Sequence, residues 1–123
     1  MKFCFNNKEL HDLVSIDSNP LFGLEKFQSL KQLELHNKGI TSIEPRSFVC
    51  LQNLNTLNLN TNKLTRIKVD FFKGLKQLKS LYLDGNGVVS IDPKSFDDLH
   101  SLETLVLGFN QLEKIEAHSF QGL

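Results

Sequence analysis

The sequence predicts an α/β repeat solenoid, in which similar coils stack and share one parallel β-sheet. Leu30, Leu54, Leu78 and Leu102 lie 24 residues apart, and each begins the string Leu-x-x-Leu-x-Leu-x-x-Asn-x-(Leu, Val or Ile), with one exception at the Asn. An Ile follows three positions after this string, and a Phe follows five positions later. Self-similarity at a fixed step of this length is typical of stacked repeats, because one unit cannot bury its apolar face alone.

Each unit is predicted to contribute one short strand. Two leucines separated by a variable residue alternate between a buried and an exposed face, as in a strand that packs one side against a core. The leucine pairs are Leu33 and Leu35, Leu57 and Leu59, Leu81 and Leu83, and Leu105 and Leu107. Stacking at the strand spacing of about 4.8 Å would align these strands in one parallel sheet and merge the apolar faces into a continuous core.

The later apolar residues of each unit are predicted to build the side of the coil opposite the strand. They are Ile43, Ile67, Ile91 and Ile115, followed by Phe48, Phe72, Phe96 and Phe120. The 10 Phe residues are therefore assigned largely to structure rather than to recognition. Since the chain has no Trp and one Tyr, few aromatic residues remain for contact with a ligand.

The Asn at the ninth position of three units is predicted to have a structural role. Asn62, Asn86 and Asn110 each carry a donor and an acceptor, which can satisfy backbone groups where the chain turns out of the sheet. We favour this role over a ligand role, because buried polar groups normally find partners within the protein. Lys38 occupies the position in the first unit, with Asn37 one residue early, so we expect that coil to turn differently.

The chain divides into two predicted regions. Residues 1–29 form an atypical N-terminal segment and a shortened repeat, in which Val14 and Ile16 match the strand pair. Residues 30–123 form four repeat units, the last of them incomplete. Because Phe120 and Leu123 have no following unit to cover them, we expect a fragment of a longer array, with self-association through the uncapped C-terminal end.

Composition limits the classes of partner and compartment. The 14 acidic and 14 basic residues cancel and the Lys residues occur in every coil, so we expect no nucleic-acid binding. No apolar run is long enough for a membrane span, and the first ten residues lack the apolar segment of a secretory signal. No Asn-x-Ser/Thr acceptor occurs, which counts mildly against a heavily glycosylated ectodomain. Cys4 and Cys50 fall in different coils, so we expect free thiols rather than a disulfide.

Catalytic and metal-binding patterns are weak in this sequence. The four His residues fall at four different positions of the repeat, and no HExxH or CxxC spacing occurs. We therefore predict that the chain is not an enzyme and holds no cofactor or metal. Asp17 and His36 are predicted to lie on neighbouring strands, where they could pair or share a metal. One His and one carboxylate make a poor metal site, so a solvated pair is favoured.

The outward face of the predicted sheet is the expected ligand-binding surface, because concave solenoid surfaces commonly bind partners. The candidate ligand-binding residues are Glu34, His36, Asn58, Asn60, Tyr82, Asp84, Val106 and Phe109. Tyr82, Val106 and Phe109 form an apolar cluster of the kind that anchors a binding hot spot. A second interpretation stays open, since single exposed apolar residues are common and Phe109 could pack against the edge of a loop.

The motif LNTLNLNTNKLTRI at residues 54–67, followed by Phe72 and Leu75, resembles the typical 24-residue class of leucine-rich repeat. The resemblance covers residues 30–123 well and residues 14–27 loosely. It implies a horseshoe with a concave parallel sheet and an irregular or short-helical convex side. Proteins of this class are mostly extracellular or at the cell surface, such as Toll-like receptor ectodomains, Slit-like guidance proteins, matrix proteoglycans and neuronal adhesion proteins. This chain differs from them in having no cysteine-bearing flanking caps.

From this resemblance we expect a module that binds a protein ligand through its concave face, in a cell-surface or secreted receptor or adhesion protein. An intracellular, cytoplasmic leucine-rich repeat scaffold or adaptor is the alternative, although the shorter repeats of those proteins resemble this chain less. Regulatory repeats fused to an enzyme domain outside this chain are a further alternative.

Overall fold

The computed structural model describes the backbone of residues 2–4 and all of residues 30–49 and 51–123. These residues contain seven short strands in two parallel sheets. The strands are β1 (Lys2–Cys4), β2 (Gln32–Glu34), β3 (Thr56–Asn58), β4 (Arg66–Ile67), β5 (Ser80–Tyr82), β6 (Ser90–Ile91) and β7 (Thr104–Val106). Cys50 and the side chain of Cys4 lie outside this description, and with them the predicted free thiols.

The main sheet has the order β1-β2-β3-β5-β7, and every pairing in it is parallel. The register pairs Leu33 with Leu57, Leu57 with Leu81, and Leu81 with Leu105. Each repeat step therefore advances the chain by one strand without a shift in register. This arrangement confirms the predicted repeat solenoid, in which each unit contributes one strand to the main sheet.

The leucines, isoleucines and phenylalanines of the repeat form one continuous core. In the second and third units the leucines at the predicted strand positions are fully buried. The rings of Phe72, Phe96 and Phe120 stack in a column with centroid distances of 6.1 and 5.9 Å. Phe71 adds a buried ring that the repeat pattern did not predict, and it meets Phe72 edge to face at 6.2 Å.

The side of the coils opposite the main sheet is irregular. Turns rather than helices connect the strands throughout residues 30–49 and 51–123, so of the two predicted forms of this side the irregular one is present. The short sheet of β4 and β6 pairs Ile67 with Ile91 just after the chain leaves the main sheet. Three coils bury a Ser at the position before the repeat Phe, and the second coil buries Phe71 there instead.

The ninth-position asparagines join neighbouring coils, as predicted. Asn62 Oδ1 accepts hydrogen bonds from the backbone N–H groups of Lys38 and Ile40 at 3.0 and 3.1 Å. Its Nδ2 donates to the carbonyl oxygens of Leu35 and Leu59, both at 2.9 Å. Asn110 repeats all four bonds two units further along, and Asn86 repeats three of them, with the N–H group of Leu64 as the donor to its Oδ1. Each Asn thus satisfies backbone groups of its own coil and of the coil before it.

The first coil turns as the others do, so the prediction of a different turn was wrong. The eighth position of every unit has a left-handed backbone, at Asn37 (φ 54°), Thr61 (φ 58°), Gly85 (φ 66°) and Phe109 (φ 51°). The N–H groups of the turn at Lys38 are bound by Asn62 of the following coil. The turn therefore does not depend on an Asn at position 38.

The strand beside β2 is β1, not the predicted strand at Val14 and Ile16. The register pairs Phe3 with Leu33, a step of 30 residues. β3 occupies the other side of β2, so both neighbours of β2 are described strands. Asp17 lies outside the described residues, and its pairing with His36 stays a prediction. The pattern misled here because the step into the first full unit is longer than the repeat itself. The predicted shortened repeat lies outside the described residues, and the bounds 1–29 and 30–123 stay a prediction.

The last coil is more exposed than the coils before it. Ile115 is 61% exposed, whereas the equivalent Ile67 is fully buried. Leu123 is 53% exposed, and the strand leucines of this coil are only partly buried against the core. The apolar side chains of this coil therefore reach solvent on one side, and the predicted self-association stays a prediction.

Candidate ligand-binding surface

The outward residues of the main sheet form columns that run across the strands. The register places Glu34, Asn58, Tyr82 and Val106 side by side on adjacent strands. The backbones of neighbouring members therefore lie about 4.8 Å apart across the sheet. Two positions further along each strand lies a second column. Its members are His36, Asn60, Asp84 and Gly108. Phe109 follows at the edge of the sheet, so the eight predicted residues share one surface, which we call the concave surface.

The residues of the first two coils on this surface are hydrogen-bonded to one another. Asn58 Nδ2 donates to Glu34 Oε2 at 2.9 Å, and the same oxygen lies 3.3 Å from His36 Nδ1. Asn58 Oδ1 accepts from the N–H group of Asn60 at 3.0 Å, and Asn60 Oδ1 accepts from the N–H group of Asp84 at 2.7 Å. A ligand would have to replace these bonds, so their exchange would contribute little net free energy.

Glu34 is more covered than its outward position in the strand predicts. Only 8% of the residue is exposed. Its carboxylate is bound along the column by Asn58 and along the strand by His36. The alternation of the strand sets the direction of the side chain but not its neighbours, which explains why the sequence did not predict this burial. His36, at the rim, is exposed.

The last two coils contribute the apolar side chains of the concave surface, beside Asp84 and Gly108. Tyr82 and Val106 are adjacent in the first column and partly exposed. Phe109 is 92% exposed, so it does not pack against the edge of a loop. Its backbone is left-handed, with a φ of 51°, which is rare for a bulky residue. The coils that lack the polar hydrogen-bond network thus carry the apolar side chains.

Gly108 has a specific steric role in the second column. A Cβ at this position would lie 2.9 Å from Asp84 Oδ1, so any side chain would have to displace the carboxylate. Asp84 Oδ1 is itself buried, without a hydrogen-bond partner among the described residues. The sequence did not predict this role, because a Gly at the end of a strand indicates a turn more often than a close approach of a side chain.

The described residues contain neither a cluster of metal ligands nor a membrane-spanning helix. Within residues 30–49 and 51–123 no group of three His, Cys, Asp or Glu side chains is placed to hold a metal ion. Among the described residues no helix has the length and apolar character needed to cross a bilayer.

Comparison with known families assigns the chain. The leucine rich repeat model matches residues 28–88 and 77–123, which together make up most of the sequence. The chain belongs to the leucine-rich repeat family. In the structure, each repeat appears as a coil that contributes one strand to the main sheet, and the ladder of asparagines joins neighbouring coils. Solenoid arrays of this kind use extended concave surfaces for binding.

Growth factor receptors are among the similar sequences. The NT-3 growth factor receptor of Homo sapiens is 33% identical over 70 residues, and that of Mus musculus is 32% identical over 70 residues. The matched part covers 57% of this chain and 8% of either receptor. The similarity thus concerns a small part of each receptor.

Solved structures with similar folds include two leucine-rich repeat arrays. The structure of a TLR13–ssRNA13 complex matches with a TM-score of 0.75 and 36% identity, over 77% of this chain and 13% of that chain. Internalin C2 of Listeria monocytogenes matches with a TM-score of 0.60 and 25% identity, over 80% of this chain and 40% of that chain. Both agree with the repeat solenoid horseshoe seen here.

Proposed function

We propose that this leucine-rich repeat segment binds a protein ligand on its concave surface, as part of a receptor or adhesion protein at the cell surface or outside the cell. Tyr82, Val106 and Phe109 form the apolar anchor. The polar residues Glu34, His36, Asn58, Asn60 and Asp84 surround it and set the orientation of the ligand. The receptor names of the similar sequences support the receptor class.

The observation that carries the proposal is Phe109. An aromatic side chain that is 92% exposed contributes nothing to the core, and its left-handed backbone costs about 1 kcal/mol or more. Within the described coils Phe109 therefore adds no core contact. Aromatic residues, Phe among them, are enriched in the buried centres of binding interfaces.

The charge of the concave surface favours a protein ligand over RNA. The TLR13 structure is a complex with an ssRNA, and binding of nucleic acid depends on Lys and Arg contacts with phosphates. In this chain the two columns of the concave surface contain Glu34 and Asp84 but neither Lys nor Arg. A polyanion would be repelled here, whereas an apolar patch on a protein would be accepted.

The test is a binding screen of the purified chain against a panel of purified extracellular domains, with a second panel of cytosolic proteins. We expect a binder from the extracellular panel whose affinity falls about 30-fold in Tyr82→Ala and in Phe109→Ala. Val69→Ala is the matched control, because Val69 is an exposed apolar residue away from the concave surface.

Three results would count against the proposal. If Val69→Ala abolished binding while Tyr82→Ala and Phe109→Ala retained it, the binding site would lie on the convex side. Binders found only in the cytosolic panel would favour the intracellular scaffold instead. A catalytic domain in the flanking sequence of the same protein would favour the regulatory repeats.

A further inference from the structure

Charged residues are segregated along the array, although the chain is neutral overall. Residues 30–77 contain eight Lys or Arg and three Asp or Glu, a net charge of +5, whereas residues 78–123 contain three and seven, a net charge of −4. The basic residues of the first half are Lys31, Lys38, Arg46, Lys63, Arg66, Lys68, Lys73 and Lys76. Overall neutrality therefore conceals a strongly basic half, which the scattered positions of the Lys residues in the sequence did not reveal.

Three of these cations converge on one hollow on the irregular side of the coils. The hollow has a volume of about 430 Å³. Its polar lining consists of Arg46, Lys73, Lys76, Gln52, Gln77 and Asp98, and we call it the basic hollow. Residues from three successive units contribute to it, so it exists only in the stacked array.

The carboxylate of Asp98 in the basic hollow is hydrogen-bonded to the backbone. Asp98 Oδ2 accepts a hydrogen bond from the N–H group of Gly74 at 2.9 Å. None of the three cations forms an ion pair within the described residues, where the Lys and Arg pairs are Arg66–Asp92, Lys79–Glu103 and Lys114–Glu116. The lining of the basic hollow thus contains three cations without an ion-pair partner among the described residues and one carboxylate, a net charge of +2.

The backbone holds these cations together. Gly74 has a φ of 88°, and a Cβ there would lie 3.0 Å from the backbone Cα of Val49, so the second coil packs directly on the first. Arg46 has a left-handed backbone, with a φ of 64°, and its N–H group donates to the carbonyl oxygen of Asp70 at 2.9 Å. The loops that carry Arg46 and Lys73 are therefore fixed to each other by the backbone.

From this geometry we infer that the basic hollow binds a sulfated polysaccharide. Arg46, Lys73 and Lys76 contact sulfate oxygens, where charge-assisted hydrogen bonds are strongest. Gln52 and Gln77 bind hydroxyl groups of the sugar. The cations are spread over two coils, which suits several anionic groups along a chain better than a single free anion. Among the described residues no aromatic side chain lines the hollow, whereas sites for single-stranded nucleic acid stack bases on aromatic rings.

The experiment compares two triple variants of equal charge. Arg46→Gln, Lys73→Gln and Lys76→Gln together neutralise the hollow, and Lys31→Gln, Lys63→Gln and Lys68→Gln neutralise three exposed cations of the same half elsewhere. The probe is a heparin-derived octasaccharide, with a desulfated octasaccharide, inorganic sulfate and a single-stranded oligonucleotide for comparison. Binding is measured by calorimetry at several salt concentrations, after circular dichroism and thermal unfolding have shown that both variants are folded.

We expect the hollow variant to bind the sulfated octasaccharide about tenfold more weakly, because three exposed ion contacts each contribute roughly 1.4- to 5-fold. The affinity of the control variant for the sulfated octasaccharide should fall by about twofold or less. The desulfated octasaccharide should not bind. In the unsubstituted chain the octasaccharide should shift the amide resonances of Lys73 and Gly74 and leave those of Tyr82 and Val106 in place. That pattern would also separate this site from the concave surface.

Several results would overturn the inference. Equal weakening in both triple variants would mean that net charge, not the hollow, attracts the polysaccharide. If inorganic sulfate bound as tightly as the octasaccharide, the hollow would be a site for a single anion. An oligonucleotide that binds more tightly than the octasaccharide, and loses affinity in the hollow variant, would assign the hollow to nucleic acid.

Discussion

The first two full coils and the last two have the same core and different surfaces. On the concave surface, the first two coils carry the hydrogen-bonded set of Glu34, His36, Asn58 and Asn60, whereas the last two carry Tyr82, Val106 and Phe109. The first half is basic and the second half is acidic. The repeat constrains only the residues that point inward. Outward positions are therefore free to differ from coil to coil, and one array can carry surfaces of different chemistry.

The largest expected effect is the loss of stability when the ladder Asn of an interior coil is removed, compared with the same change in the exposed last coil. Asn62→Ala removes the partners of several buried backbone groups, each of which costs about 1–3 kcal/mol when left unsatisfied. We expect the free energy of unfolding to fall by about 3 kcal/mol or more. Asn110→Ala removes the same bonds where water has access, so its loss should be clearly smaller. Denaturant unfolding of the two variants measures the difference, and equal losses would show that the last coil is as well closed as the interior ones.

The second effect concerns binding to a protein partner by the two halves of the concave surface. Tyr82→Ala should weaken binding by about 2 kcal/mol, because it removes an anchor that is not held by other side chains. Asn58→Ala should change affinity by less than about 0.5 kcal/mol, since Asn58 already spends its hydrogen bonds within the surface. Titration calorimetry on the same partner measures both. If Asn58→Ala is the more damaging change, the polar half is the binding site.

A third comparison uses one backbone position in the two halves. Thr61 and Gly85 both occupy the left-handed eighth position, and Thr61 is β-branched. Thr61→Gly should raise the free energy of unfolding by about 0.5–1 kcal/mol, and Gly85→Thr should lower it by about 1–2 kcal/mol. A Cβ at Gly85 would meet nothing closer than 3.8 Å, so the Cβ itself clashes with no neighbour and backbone strain is the main expected cost. Thermal unfolding provides the measurement, and a stabilising Gly85→Thr would remove strain as the explanation.

The smallest expected effect is the ion pair that joins the two halves. Arg66 Nε lies 2.8 Å from Asp92 Oδ1, and Arg66 is largely exposed. A double-mutant cycle with Arg66→Ala and Asp92→Ala should give a coupling of about 0.5 kcal/mol at low salt, and less at high salt, because exposed pairs are screened. A coupling that does not change with salt would mean that the pair acts by packing rather than by charge.

The sequence predicts the inward half of this protein well and the outward half poorly, for a physical reason. Leu57, Ile67 and Asn62 are fixed by the spacing of the repeat, because a coil with a different residue there would leave a void or an unpaired backbone group. Burial of Glu34 and convergence of the cations in the basic hollow depend on contacts between coils, which no single unit encodes. The strand at Lys2–Cys4 was missed for a related reason, since its step to the first full unit does not follow the repeat.

The direction of the asparagine bonds has a consequence for the synthesis of the chain. Asn62 closes the turn of the coil that precedes it, and the next two ladder asparagines act on their predecessors in the same way. When a coil has just left the ribosome, the N–H groups of its turn have no Asn Oδ1 to bind. That acceptor becomes available only after the following 24 residues have also emerged. Folding of the nascent array trails translation by one repeat, and a pause within a repeat leaves one unclosed turn at the growing end.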